Sequence, residues 1–470
     1  MRILLPTGKK TASIVQRAAG VYDADVVVTG EIASFLTPSQ LASLLKRGEY
    51  DLAITSGMCT ADFREVEAAS GVPVYRGPRH AADLPLMLRL LSAMEFSRTV
   101  PADEFLALRR RQKAAGQLRR QEEGAACAYR IRGLKIGGSS RIKVLAEIMD
   151  AHRQEHLARE VERYFSMGAD IVDLGFGFDA TAEDVRRCME ALSAVEGPLA
   201  IDTQDPDLIR AGLGRADLVL SLHDGNLPLV GDAVAAADTA AVIVPRQRSL
   251  AETIEAARTL GIRRILADPL LQPVGSGLAA SLAGFSGIDE PAFFGAGNVT
   301  ELIDADSPGV NALLAGMAHE CGAAVIFTSE HSDKTRGSVA EMRRAVEMMA
   351  LMGDRPYPKD LGLDLLVIKE KRKRRPPPLD YDAKTDAEPA RGEMEYDPKG
   401  NVRIGIEDGM IVAVHDAVAI RGACWEDVFS TLLREGRLSL LDHAAYLGKE
   451  LYKAELSLRF GRSYDQDGVF

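Results

Sequence analysis

The chain has 470 residues, 46% of them hydrophobic, which fits two or three globular domains and excludes a single small module. Its net charge of −11 argues against a general nucleic-acid binder, and no apolar run reaches the length of a membrane span. The segment MRILLPTGKK lacks a signal-peptide layout, and Cys59, Cys127, Cys188, Cys321 and Cys424 show no paired spacing. Neither a disulfide framework nor a structural zinc site is indicated, and the cytoplasm is the expected compartment.

Residues 1–100 read as a small Rossmann-like α/β domain. Short buried strands are expected at 2–5, 25–29, 51–55 and 72–75, with a helix at 37–47, giving an open parallel sheet. The run 75–85 (YRGPRHAADLP) places Arg76, Arg79 and His80 around Gly77 and Pro78. It suits an anion site or a turn before a helix that starts near Asp83. Residues 101–135 read as a connecting helix and linker, highly charged between 104 and 123.

From 136 to 355 short apolar runs alternate with amphipathic segments. The runs are 143–148, 170–174, 198–201, 217–222, 240–244, 264–267, 292–295 and 323–327. Eight such units match a (β/α)8 TIM barrel, whose active site lies where the strands end. At those ends stand Asp150, Asp173, Asp202, Asp224 with Asn226, Arg246, Asp268, Asn298, and Glu330 with His331.

Residues 356–394 form a charged, proline-rich linker that holds the basic run KEKRKRR at 369–375. That run suits an anionic partner or a solvated linker, and its proline neighbours favour the linker. Residues 395–470 read as an α+β module. A hairpin at 402–407 and 410–417 turns at Asp408 and Gly409, followed by helices at 425–435 and 442–460.

A carboxylate leaving a buried strand is costly unless it is solvated or paired, so Asp202 and Asp268 are site candidates. Asp202 has a competing reading as a cap for the helix expected near 205–212. Among His223, Asp224 and Asn226 one is expected to face the site. Gly295 and Gly297 before Asn298 allow close approach of a flat ligand. Two aspartates and one or two amides suit a heterocycle with an amidine-like edge, since a carboxylate accepts two parallel hydrogen bonds from a ring N–H and an amino group. Metal-assisted hydrolysis is the competitor. It lacks a His-x-His after the first run, a lysine at a strand end and a His-Glu-x-x-His, so no metal ligands are assigned.

The segments 169–177 (ADIVDLGFG), 201–206 (IDTQDP), 222–226 (LHDGN) and Asp268-Pro269 resemble, in order and spacing, the pterin-binding barrels of dihydropteroate synthases and pterin-dependent methyltransferases. Over nearly its full length the chain resembles the dihydropteroate synthase-related proteins associated with tetrahydromethanopterin. The run 75–85 and the segments 397–404 (DPKGNVRI) and 441–450 (LDHAAYLGKE) carry that closer likeness. The resemblance implies pterin binding by Asp173, Asp202, Asp224, Asn226, Asp268 and Asn298, with Asp202, Asp268 and Asn298 as catalytic residues. It implies phosphate contacts from Arg246, His331, Lys334 and Arg336.

Three departures stand out. The Asn-x-Thr-x-Asp-Ser-Phe loop of true dihydropteroate synthases is replaced by EIMDAH at 147–152, and their Ser-Thr-Arg-Pro loop by FGFDAT at 176–181. Their lysine of the seventh strand is missing, with Asn298 nearby. The resemblance therefore implies a transferase of tetrahydromethanopterin biosynthesis and one-carbon metabolism. It would join an activated hydroxymethyl-dihydropterin to an arylamine, a ribosylated aminobenzene phosphate, with Mg²⁺ compatible with the pyrophosphate. Asn298 also fits a tetrahydropterin-dependent methyltransferase working with a corrinoid partner protein. A non-catalytic pterin-binding subunit is a third expectation, and a homodimer is compatible with all three.

Overall fold

The computed structural model describes residues 1–371, 381–387 and 395–470. The basic run at 369–375 and the prolines behind it lie largely outside them, as does part of the linker expected at 356–394. Two compact units result, Met1–Pro376 and Pro377–Phe470. Among the described residues no helix is long and apolar enough to cross a membrane.

The first unit begins with four parallel strands, β1 (Ile3–Gly8), β2 (Ala24–Gly30), β3 (Leu52–Thr55) and β4 (Val74–Arg76), in the order β2-β1-β3-β4. Every residue of β1 and β3 is buried, which explains why both read as continuous apolar runs. The helix Pro38–Leu45 starts where Thr37 and Gln40 form a capping box.

The connecting helix Ala102–Gly124 buries Ala102 and Leu106 in the core of this sheet and Ala114 in a barrel core cluster. It stops where the Lys135 ammonium donates to the carbonyls of Glu122, Glu123 and Ala125 at 2.7, 3.0 and 2.8 Å, satisfying groups that a helix end leaves open. Lys135 belongs to a hairpin, β5 (Tyr129–Ile131) and β6 (Leu134–Ile136), which the sequence reading absorbed into a linker. Strands of three residues are too short to display a period. The hairpin turns at Arg132 (φ 42°) and Gly133 (φ 83°), and its Ile131 and Ile136 pack into the barrel interior.

The barrel comprises β7 (Lys143–Ile148), β8 (Ile171–Gly175), β9 (Leu199–Asp202), β10 (Leu218–Leu222), β11 (Ala240–Ile243), β12 (Ile265–Ala267), β13 (Ala292–Phe294) and β14 (Ala323–Ser329). All eight are parallel, and β14 pairs with β7 to close the ring. Alternation along each strand sends Leu145, Ile171, Ala200, Leu218, Val242, Leu266, Phe293 and Val325 inward. Their neighbours, such as Val172, Ile201 and Val219, face the surrounding helices. Helices open on side-chain caps at Thr181, Asp205 and Ser249.

In the second unit β15 (Arg403–Glu407), β16 (Met410–His415) and β17 (Val418–Gly422) form an antiparallel sheet. The expected turn is present at Asp408 and Gly409. A second tight turn at Asp416 (φ 46°) and Ala417 (φ 63°) adds β17, which the sequence reading missed because Ala417 looks like a strand residue. Helices Trp425–Arg434 and Leu441–Phe460 bury Val428, Leu432, Leu447 and Leu451 with Ile404, Ile411 and Ile420 of the sheet. Asp397 ties the module together. It accepts hydrogen bonds from the backbone N–H groups of Lys399, Ser439 and Leu440 and from His443 Nδ1 at 3.0 Å. The two segments 397–404 and 441–450 thus meet through a structural contact.

Candidate active site at the carboxyl end of the barrel

Alternation that buries Leu145, Ile171, Ala200 and Leu266 inside the barrel also directs the residues two positions on. These are Glu147, Asp173, Asp202 and Asp268, the last just beyond the end of its strand. Glu147 and Asp173 are register partners on β7 and β8, and Asp202 on β9 pairs with Gly175. Each of Glu147, Asp173 and Asp202 offers an oxygen, all within 4.8 Å of one another. Asp173 is fully buried, and neither of its carboxylate oxygens has a hydrogen-bond partner. Among the described residues no ion pair joins these three acids, or Asp268, to a basic group.

This crowding fixes their electrostatics. Burial raises the Asp173 carboxyl well above its ordinary value, and the charges of Asp202 and Glu147 push it further. Glu147 is pushed up to about 7, first by burial and then by Asp202, and Asp202 to about 6 by burial. A cavity of about 260 Å³ opens beside them, lined by Glu147, Asp150, Gly175, Phe178, Asp202 and Gln204.

Asp268 lies at the end of β12, four strands from β8 and therefore on the opposite wall. It is 7% exposed, and its Oδ1 accepts the Leu270 N–H at 2.8 Å. Burial pushes its carboxyl up to about 7, against that single hydrogen bond. The helix-cap alternative for Asp202 falls, because Asp205 caps the following helix by accepting from Asp207 and Leu208.

The other expected residues divide. Asn226 is buried, but its amide closes the β10 exit: Oδ1 accepts from His223 N at 2.9 Å and Nδ2 donates to Ser221 O at 3.3 Å. Asp224 accepts from the Gln247 N–H at 3.2 Å and so braces the neighbouring exit loop. His223 Nδ1 accepts from Gly225 N, which leaves Nε2 to donate to Gln204 Oε1 at 2.7 Å. Burial and the adjacent Arg246 lower its pKa, so this imidazole is neutral. Arg246 itself is exposed at the rim.

Asn298 is exposed on the short helix Gly297–Glu301. Gly297 lets that helix close on β14, since a Cβ there would meet Phe327 at 2.6 Å. A Cβ on Gly295 would meet only the Asn298 amide nitrogen, at 4.0 Å, so the expected close-approach space is present. After β14, Lys334 is engaged by Asp304 at 2.9 Å, whereas His331 and Arg336 are exposed. Glu330 is paired with Arg163 at 3.2 Å and accepts the Val339 N–H, a structural role.

Sequence reasoning missed two acids. Glu147 sits inside the first apolar run, whose exit in the sequence is the later Asp150. Counting by two from Leu145 identifies it. Glu301 accepts from Ser332 Oγ (2.6 Å), Thr335 Oγ1 (2.7 Å), His331 N (2.9 Å) and Ser329 Oγ (3.1 Å). Burial raises its carboxyl, but these donors outweigh burial and hold it below its ordinary value. It organises the loop after β14, and no local pattern announces it.

Parts of the chain match known proteins. The family model PterinBD-DUF4346 matches residues 396–467, within the second unit. Among solved structures, Yersinia pestis dihydropteroate synthase with a pterine-sulfa conjugate is 19% identical, covers 45% of this chain and 93% of its own, and gives a TM-score of 0.36. Xanthomonas albilineans dihydropteroate synthase with 4-aminobenzoic acid is 21% identical, covers 44% and 91%, and gives 0.36. The Methanocaldococcus jannaschii protein described as uncharacterized protein MJ0107 is 31% identical over 516 residues, spanning 99% of this chain and 98% of the relative. With that full-length likeness, the chain belongs to the family of MJ0107.

Proposed function

We propose that the chain is a pterin-binding transferase that joins an activated hydroxymethyl-dihydropterin to an arylamine, as in tetrahydromethanopterin biosynthesis. The observation that carries this reading is a set of acids without counter-cations among the described residues, the buried Asp173 and half-buried Glu147 and Asp202 facing the buried Asp268 across the barrel. Leaving such groups unpaired in a protein interior is costly, which makes a complementary ligand the natural compensation. A pterin presents donors along its amino-pyrimidine edge, and an ionised Asp268 accepts two of them in parallel. The opposite wall then faces the other end of the ring.

Chemically, the C–O bond of the activated hydroxymethyl group breaks, pyrophosphate leaves with the electron pair, and the amine nitrogen forms the new C–N bond and loses a proton. The developing cationic methylene is stabilised by the carboxylates of Glu147 and Asp202, fixed beforehand in a low-dielectric site. Either carboxylate accepts the amine proton, since both titrate near neutrality. Arg246 and Arg336 at the rim are the cations left to meet phosphate, Lys334 being paired. The oxygen donors Glu147, Asp173 and Asp202 also suit a hard divalent cation such as Mg²⁺, which would withdraw charge from the pyrophosphate.

A methyl-transfer reading draws on Asn298, exposed beside the open space at Gly295. The test is direct: purified protein with hydroxymethyl-dihydropterin pyrophosphate releases pyrophosphate only when an arylamine is added. Methyl exchange with a corrinoid protein and no pyrophosphate release would replace condensation by methyl transfer. Pterin binding with neither reaction would leave a binding subunit.

A further inference from the structure

In the amino-terminal domain the loop after β3 and the end of edge strand β4 press together backbone to backbone. Gly57 N donates to Pro78 O at 3.1 Å, and Gly77 N to Thr55 O at 2.8 Å. Neither glycine tolerates a side chain: a Cβ on Gly57 would lie 2.5 Å from Gly77 O, and one on Gly77 would lie 2.5 Å from Thr55 O. The two loops wall a cavity of about 530 Å³. Four arginines line it (Arg64, Arg76, Arg79, Arg98) against two acids, Asp62 and Glu67.

Three of the four are neutralised. Arg64 pairs with Asp62, Arg98 with Glu67 at 2.8 Å, and Arg79 with Asp103 at 3.2 Å and with Glu104. Arg76 is different. It is 7% exposed; among the described residues its only side-chain hydrogen bond is from Nη2 to the Ala61 carbonyl at 3.1 Å, and its buried Nε has no partner. Among the described residues no carboxylate forms an ion pair with it; the nearby Asp62 is spent on the Arg64 backbone and side chain. A buried guanidinium with an orphaned N–H is strongly destabilising unless an anion joins it.

We propose that this cavity, lined by the buried, unpaired Arg76 together with Arg79 and Arg98, binds the phosphate group of a small organic phosphomonoester. The Nε–Nη edge of a guanidinium matches two phosphate oxygens side by side, and flanking arginines supply the further donors that a tetrahedral dianion accepts. The hydroxyls of Thr60 and Thr99 add donors at the wall. The volume exceeds what one phosphate fills, and Met58, Phe63 and Val74 give an apolar surface for the organic part. The turn Ala81–Asp83 and the start of the helix Leu84–Leu90 come after Arg76 and Arg79 in the run 75–85, so the turn and the anion site coexist there. This site is independent of the barrel reading.

The test is calorimetric titration of the full chain with phenyl phosphate, with benzoate as the carboxylate arm. The wild type should bind phenyl phosphate saturably and at least tenfold more tightly than benzoate. Arg76→Gln should weaken phenyl phosphate at least tenfold, whereas Arg186→Gln, on an exposed helix face away from both sites, should leave it unchanged. Should Arg76→Gln fail to fold by circular dichroism, Arg98→Gln replaces it, with an expected loss of at least threefold. No saturable binding, equal binding of benzoate, or unchanged affinity in the Arg76 or substitute Arg98 variant overturns the site. Loss confined to a barrel-rim variant, Arg246→Gln, overturns it equally, because the phosphate would then sit on the barrel.

Discussion

A Cβ placed on Gly175 would lie 2.8 Å from Glu147 Oε1, so the missing side chain on β8 is the space that the β7 carboxylate occupies. Gly175 has no positive φ, and its backbone accepts alanine. The obstructed atom is the end of a flexible side chain, so Gly175→Ala should change stability by less than about 1 kcal/mol while displacing the carboxylate. Pterin affinity should fall at least fivefold. Paired melting and calorimetric measurements check this, and unchanged affinity would remove Glu147 from the site.

Stability of the ligand-free protein should fall as pH rises. Glu147 and Asp268 titrate at about 7 and Asp202 at about 6 in the folded state, against values near 4 when unfolded. Between those limits the folded chain holds protons that the unfolded chain has released, which makes the slope of stability against pH negative. The contribution of Asp268 alone is on the order of 4 kcal/mol, fully present below about pH 4 and lost by about pH 7. Urea midpoints should decrease from pH 5 to pH 8, and a rising profile would contradict these shifts.

Asp268→Asn separates function from stability at one position. The asparagine oxygen still accepts the Leu270 N–H but carries no charge to desolvate. The variant should be more stable than wild type at pH 8, with a shallower dependence on pH, and should bind pterin at least tenfold more weakly. In the wild type, affinity should tighten from pH 5 to pH 8 as Asp268 ionises. Calorimetry in buffers of different ionisation enthalpy should detect the released proton. Wild-type affinity in the variant would sink the amino-pyrimidine assignment.

At the other end of β7, Lys143 is fully buried and donates to Glu122 Oε1 and Ser140 Oγ, both at 2.7 Å, and to Arg141 O at 3.0 Å. Its partner is 29% exposed. Glu122→Gln leaves a buried ammonium without its counter-charge and should cost about 3–5 kcal/mol. Lys143→Met leaves a carboxylate that reaches water and still accepts from Ser140 and the Arg141 N–H, so it should cost less. The double variant should recover part of the loss. Equal costs in urea unfolding would mean that Lys143 is not the desolvated member.

The barrel was legible because each strand is an apolar run bounded by turn chemistry, and the observed strands follow those runs within a residue or two. Asp202 and Asp268 were legible as carboxylates leaving such runs. Glu147 lies within its run and not at its end, so only the side-chain alternation along the strand marks it as facing the site. Glu301 and the β5–β6 hairpin depend on contacts distant in sequence or on strands too short to carry a pattern. Asn226 and Asp224 look like site residues in sequence, and only their hydrogen bonds reveal that they shape loops.

Asn298→Ala divides the two transferase readings. The residue is exposed, and among the described residues its side chain makes no hydrogen bond that alanine would remove, so stability should stay within about 0.5 kcal/mol of wild type. Condensation places its charge development between Glu147, Asp202 and the departing pyrophosphate, so turnover should fall less than about threefold, below 0.7 kcal/mol of barrier. Methyl transfer would need the amide at the ring nitrogen that carries the methyl group, and its loss should then reduce kcat by about 100-fold or more, near 2.7 kcal/mol. Single-turnover rates with the arylamine and with a corrinoid acceptor, measured on the same variant, decide between them. A large loss of arylamine-dependent pyrophosphate release would show that Asn298 serves condensation itself and that the rim of β13 belongs to the reacting centre.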